Sequence, residues 1–171
     1  MANALITSYY KNHWKCKVFF IHADLGRTEW KETPEHVEKI SKEHGFPLHI
    51  VKHKKYDLLG RWEDRMKKLE GQNKPFWSSS TARYCTSDMK REPINKFFRT
   101  FKDCVIISAE GIRAQESPGR AKKNPFSIRS QISNSRRTAY TWYPIFNSKL
   151  EEVWLEIGHT IDDLKFRQKI W

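Results

Sequence analysis

The chain has 171 residues, with 32 Lys and Arg against 20 Asp and Glu, a formal net charge of +12 and 13% aromatic residues. That size suits one domain with a real core. The aromatic content excludes a disordered tail, and the charge favours anionic partners: nucleotides, phosphate or sulfate esters, or nucleic acid.

Residues Met1 to Asn12 read as a helix with Ala2, Leu5, Ile6 and Tyr9 on one face. Val18-Phe19-Phe20-Ile21 is a continuous apolar run, as in a strand buried on both faces. Beyond a loop from Ala23 to Glu29, Thr33 reads as an N-cap with Pro34 in the first turn, Val37 and Ile40 as core-facing, and Gly45 as the helix stop. Leu48 to Val51 reads as a second strand, and Leu58, Leu59, Trp62, Met66 and Leu69 mark an amphipathic helix ending near Gly71. A polar loop follows from Gln72 to Tyr84. Ile94, Phe97, Phe98 and Phe101 mark a further helix with Pro93 near its start, and Cys104 to Ser108 reads as a third strand. From Arg120 to Arg137 there are six basic residues and no acidic one, which reads as a mobile, positively charged loop. Ser148 and Glu151 have the spacing of a capping box, with Leu150, Val153, Trp154 and Ile157 on one face of the helix it starts.

This alternation predicts an α/β fold: a mostly parallel open sheet with helices on both faces and right-handed crossovers. No run of about 18 apolar residues marks a membrane span, and no charged start with an apolar segment marks a secretion signal. Three widely spaced cysteines, Cys16, Cys85 and Cys104, fit a reducing cytoplasm better than a disulfide framework.

The most informative stretch is Gly111-Ile112-Arg113-Ala114-Gln115-Glu116-Ser117-Pro118-Gly119-Arg120, directly after the third strand. In open α/β sheets, ligands bind past the carboxyl ends of strands. A glycine there lets backbone approach a ligand, and two guanidinium groups can fork onto phosphate or sulfate oxygens. Arg113 and Arg120 are therefore read as an anion site. The plainer alternative is a surface loop whose arginines pair with Glu110 and Glu116, which is worth little. Asp24 and Gly26 hold the equivalent place after the first strand, with turn formation and a positive φ as their plainer roles. Cys85 follows Arg83 near a helix start, a setting that lowers a thiol pKa; a plain thiol is the other reading. The seven histidines match no tight metal-ligand spacing.

Four segments in order carry a resemblance. They are Phe20-Ile21-His22-Ala23-Asp24-Leu25-Gly26 with Glu29 and Thr33; Arg83-Tyr84-Cys85-Thr86 with Lys90 and Pro93; Gly111 to Ser117 with Arg120; and Tyr143-Pro144-Ile145 followed by Leu150-Glu151-Glu152-Val153-Trp154. Together they resemble the phosphoadenosine phosphosulfate (PAPS) reductase family, within the adenine nucleotide α-hydrolase-like superfamily. The resemblance implies an adenine nucleotide or sulfonucleotide across the strand ends, with Asp24 and Gly26 at the nucleoside. Arg113, Glu116 and Arg120, with Lys90 as an added charge, would meet the phosphosulfate end, and Glu116 would orient an arginine. The implied reaction belongs to sulfate assimilation: thiol-dependent reduction of PAPS to sulfite, with thioredoxin or glutaredoxin as reductant. Some relatives hold an iron–sulfur cluster through several cysteines; Cys16 and Cys104 read as small buried hydrophobes, so no cluster and no metal is expected here.

Two departures from the family pattern qualify the expectation. The family's opening strand and its Ser-Gly-Gly-x-Asp-Ser phosphate loop are absent, because Met1 already lies inside the helix that should follow them. The family's C-terminal tail with its catalytic cysteine is absent too. The resemblance thus implies one domain over 1–171, incomplete at both ends and weakly active or inactive alone. Loss of a central strand would leave open edges through which copies could associate. Two other readings stay open: an ATP-dependent sulfurtransferase of the DNA phosphorothioation type, and a basic nucleic-acid-binding module using the 120–137 segment.

Overall fold

A computed structural model describes residues 16–79 and 83–158, and the described residues divide into two compact units, one up to Phe101 and one from Lys102 onward. The helix expected over 1–12 lies outside the described residues.

In the first unit, β1 (Phe20–Asp24) pairs in parallel with β2 (Leu48–Lys52), in a register that sets Phe20 opposite Leu48 and Asp24 opposite Lys52. The crossover between them is α1 (Thr33–His44). Glu32, not Thr33, is the residue before its first turn, and no side chain caps it; Thr33 is the first helical residue and Pro34 follows, where its missing N–H costs nothing. Gly45 ends α1 at φ 69°, as expected of a left-handed stop. Helix α2 (Leu58–Lys68) starts at Asp57, whose carboxylate accepts the Gly60 N–H at 2.7 Å.

The helix expected around Ile94 starts ten residues earlier. It runs as α3 (Tyr84–Thr86), a π-helical turn (Ser87–Arg91) and α4 (Glu92–Phe98). The core explains this: Met89, in the π turn, is fully buried against Leu58 and Tyr84, with Leu25, Trp62 and Cys85 around them. The wider turn carries Met89 inward at a place where the polar neighbours Ser87, Asp88, Lys90 and Arg91 gave no helical periodicity. At the other end of the unit, Phe19, His49, Phe97 and Phe101 pack edge-on and stacked, with ring centres 4.8 to 5.8 Å apart.

The second unit holds a three-stranded sheet in the order β3 (Cys104–Ala109), β5 (Arg137–Trp142), β4 (Phe126–Ile128). β3 and β5 are parallel, and β4 is antiparallel to β5. The basic run from Arg120 to Arg137 is therefore a folded hairpin arm and not the mobile loop its charge suggested. Phe126-Ser127-Ile128 alternates like a strand and pairs with Trp142-Thr141-Tyr140. Ile132 is buried at the turn, where the Ser133 hydroxyl both accepts the Ala139 N–H (3.0 Å) and donates to the Arg129 carbonyl (3.1 Å). Two short elements frame the candidate loop: α5 (Pro118–Ala121) and α6 (Leu150–Glu156). The cap of α6 lies one residue later than the Ser148/Glu151 pattern, since Glu152 accepts the Lys149 N–H at 2.8 Å.

The fold is thus α/β with open, parallel-containing sheets. The strands fall into two sheets among the described residues, and β1 and β3 each lie at an edge.

Candidate functional site

At the carboxyl end of β3 the chain leaves the sheet through Glu110 and Gly111 and folds back as a 3-10 turn, Ala114–Glu116. The Ser117 hydroxyl accepts the Arg120 N–H at 3.2 Å and Pro118 sets the first turn of α5, so Arg120 falls one helical turn after Glu116. This brings the predicted anion-site residues together. The Arg113 Nη2 lies 3.6 Å from Glu116 Oε1, and the Arg120 Nη1 donates to Glu116 Oε2. The Arg113 N–H also donates to Glu116 Oε2 at 3.3 Å.

Two guanidinium groups from different turns therefore converge on one carboxylate. Burial acts to raise the Glu116 carboxyl, but the Arg113 N–H and the Arg120 and Arg113 charges outweigh it and hold the group below the usual carboxylate range. The side chains are partly shielded, with Arg113 14% and Glu116 24% exposed. Such a pair of cations around a planar oxyanion can hold a sulfate or phosphate group by forked hydrogen bonds.

Residues that sequence reasoning passed over fix this loop. The Gln115 amide oxygen accepts the Leu150 N–H at 3.0 Å and an Arg113 Nη1–H at 3.4 Å, tying the loop to α6. Arg129, a buried residue just after β4, donates to Glu110 Oε1 (2.9 Å) and the Ser108 hydroxyl (3.2 Å) at the end of β3. No sequence signal marks Arg129, since it reads as one more cation in a basic run. Beside the loop is a cavity of about 450 Å³ at the carboxyl end of β5, lined by Pro125, Trp142, Tyr143, Phe146, Ser148 and Glu152 among others. One of its walls, Phe146, accepts the Ala114 N–H at 2.8 Å. Its volume falls within the range of small-molecule pockets.

The remaining candidates belong to the first unit. Asp24, the last residue of β1, accepts the Gly26 N–H through Oδ1 at 2.7 Å, an Asx turn. Gly26 has φ 69°, and a Cβ there would lie 2.4 Å from the Asp57 Cβ, so the site requires glycine twice over. Asp57 is forked by Arg27, with Nε–H donating at 2.6 Å and Nη2–H at 3.0 Å. That hydrogen bonding holds the Asp57 carboxyl far below its ordinary range and pushes Arg27 up. Glu29 closes the same turn, accepting the Leu25 N–H at 3.2 Å and standing 3.0 Å from His22 Nε2. An acidic residue directly before the apolar run Leu58-Leu59 is the signal that would have found Asp57 as a cap.

Cys85 is half-buried in the first turn of α3. Burial raises its thiol, yet the hydroxyls of Ser78 and Thr86 and the charge of Arg83 prevail and bring it below the ordinary thiol value. Lys90 is exposed on the π turn. Among the described residues no group of three or more His, Cys, Asp or Glu side chains could hold a metal ion, and no helix is long and apolar enough to cross a membrane.

A family model, the phosphoadenosine phosphosulfate reductase domain, matches residues 2–161. The chain belongs to that family. No curated protein matches it. The match of this PAPS reductase domain takes in all four segments on which the sequence resemblance rests, including both arginines of the Gly111–Arg120 loop.

Proposed function

We propose that this PAPS reductase domain binds an adenine nucleotide carrying a sulfate or phosphate ester, with Arg113 and Arg120 gripping the anionic end. The observation that carries the reading is their convergence on one carboxylate past the carboxyl end of β3. There Glu116 occupies the position an oxyanion would take and keeps the two cations close together until one arrives.

The implied chemistry is transfer of a sulfonate group. A thiolate attacks the sulfur of PAPS and the sulfur–oxygen bond to the nucleotide breaks. The electron pair leaves with adenosine 3′,5′-bisphosphate, and the sulfonate stays on the attacking sulfur. A second thiol, from thioredoxin or glutaredoxin, attacks the first sulfur, forms a disulfide and releases sulfite. The arginines would neutralise charge on the leaving phosphate, an electrostatic and positioning role. Cys85, a candidate thiol, and Lys90, a candidate positive charge, belong to the first unit and stand as separate parts of the proposal.

The nucleoside contact implied for Asp24 and Gly26 stands as a separate part of the proposal. Gly26 holds Asp24 Oδ1, so Oδ2 is the oxygen a ribose hydroxyl would meet. An Asp24→Asn variant tests that part by itself.

Titration calorimetry with PAPS, adenosine 3′,5′-bisphosphate and ATP on the full chain tests the function. The proposal expects the two 3′-phosphorylated nucleotides to bind and to compete with each other. Binding of ATP alone would shift the assignment to an ATP-dependent sulfurtransferase, and binding of none would remove the nucleotide site.

A further inference from the structure

Gln115 lies between the two arginines of the Gly111–Arg120 loop and is neutral, while its neighbour Glu116 is charged. The 3-10 turn Ala114–Glu116 has about three residues per turn, so successive side chains leave it in different directions. Both nevertheless meet Arg113, which stands immediately before the turn. Glu116 Oε1 lies 3.6 Å from Nη2, and Gln115 Oε1 accepts from Nη1 at 3.4 Å. One end of the guanidinium is held by a carboxylate and the other by an amide.

The two partners differ in what they do to an incoming anion. A carboxylate cancels the charge of the cation and competes with the ligand for it. An amide oxygen orients an N–H and leaves the positive charge in place. This amide is itself fixed, because the same Oε1 accepts the Leu150 N–H at 3.0 Å, from 35 positions further along the chain. That N–H is one of the donors left without an intrahelical partner at the start of α6. One residue earlier, the Ala114 N–H donates to the Phe146 carbonyl at 2.8 Å. Two successive residues of the turn are therefore pinned to the 146–150 segment. The Nη1 end of Arg113 keeps its support when a ligand takes the place of Glu116 at the other end.

We propose that Gln115 is a positioning residue, which aims the Arg113 guanidinium at a sulfate or phosphate ester without neutralising it. The inference rests on the reading of Arg113 and Arg120 as the grip on that group. Arg113, Glu116 and Arg120 are the loop's charged side chains, so two cations against one anion leave one net positive charge. A carboxylate at position 115 would bring that charge to zero. A neutral acceptor at this position is what lets the loop be rigid and still attract a doubly charged group.

The test is calorimetry with adenosine 3′,5′-bisphosphate at low salt on the full chain and on its Gln115→Glu and Gln115→Met variants, each paired with urea denaturation. Glutamate keeps an acceptor for the Leu150 N–H and tightens its hold on Arg113, so the urea midpoint should equal or exceed that of the parent. Its affinity should nevertheless fall about tenfold, the effect of one added negative charge beside the bound group. Methionine keeps the length of the side chain and removes the acceptor. Its midpoint should fall, and its affinity should drop about fivefold, one hydrogen bond's worth. Added salt should narrow the gap between the glutamate variant and the parent, because it screens the added charge. A merely structural role makes affinity follow stability, so the glutamate variant would then bind like the parent. That result, or a methionine variant with the parent's affinity, overturns the inference and leaves the nucleotide site standing. A parent protein that does not bind the nucleotide removes the reading of Arg113 and Arg120 and this inference with it.

Discussion

Replacing Glu116 by Gln separates the two things its carboxylate does. In the free protein it pairs with Arg113 Nη2 at 3.6 Å and with the Arg120 Nη1, and it accepts the Arg113 N–H at 3.3 Å. Glutamine keeps an acceptor oxygen for the N–H and nearly the same shape, so the 3-10 turn is retained while both ion pairs lose their charge. Arg120 is 36% exposed, so solvent screening holds each pair to ~0.5–1 kcal/mol. Losing both costs about 1–2 kcal/mol of stability. The same energy no longer opposes an incoming anion, and at tenfold per ~1.4 kcal/mol this becomes a 5- to 30-fold (approximately) gain in affinity for adenosine 3′,5′-bisphosphate. Affinity and stability should therefore move in opposite directions, read by calorimetry and by urea denaturation. The acid side gives a second check. The folded carboxyl titrates below its unfolded value of ~4.3, so the pairing stabilises the protein above that pH and is lost as pH falls through the folded value. The Glu116→Gln protein should lack this part of the acid-induced loss. A variant that binds the nucleotide more weakly than the parent would refute the placeholder role and leave Glu116 as a brace for the guanidinium groups.

Other substitutions read other parts of the structure. Gly26→Ala must place a Cβ against Asp57 in a left-handed backbone and should destabilise by about 2 kcal/mol or more in urea denaturation, whereas Gly119→Ala, with open space around it, should not. Asp57→Asn weakens the fork with Arg27 and the cap on Gly60 together; because the folded Asp57 carboxyl titrates far below its unfolded value, its stabilisation is present above about pH 4 and the gap between variant and parent should close as the solution is acidified. Arg129→Ala leaves Glu110 and Ser108 without their buried partner and should cost about 3 kcal/mol, against under 1 kcal/mol for Arg136→Ala, whose ion pair is mostly exposed. Alkylation of Cys85 should reach half its maximal rate below the ordinary thiol pKa of ~8.5, and Arg83→Ala should move that midpoint up.

The parts of the fold that were legible share a cause. β1, β2 and β3 are short apolar runs bounded by turn residues, and α1 and α2 carry an apolar stripe between a start signal and a stop. β4 and β5 were hidden because Arg120 to Arg137 is dominated by charge. Its strand signal is only three residues of alternation, and its partner strand opens with an arginine whose burial no sequence rule anticipates. The π turn was hidden for a related reason, since one buried methionine among four polar residues carries no period. Of the candidate site, the Gly111–Arg120 loop could be read because strand, glycine and paired arginines are local in sequence. Gln115 with Leu150, and Arg129 with Glu110, join positions far apart in the chain, and single-sequence spacing is blind to such pairs.

The most direct test of the central claim is titration of adenosine 3′,5′-bisphosphate into the parent protein and an Arg113→Ala/Arg120→Ala variant, with circular dichroism to confirm that both are folded. Two charge-assisted contacts at ~1.5 kcal/mol or more each predict a loss of at least about 100-fold in affinity. Equal affinity in the two proteins would contradict the assignment of these arginines to the anionic end of the ligand.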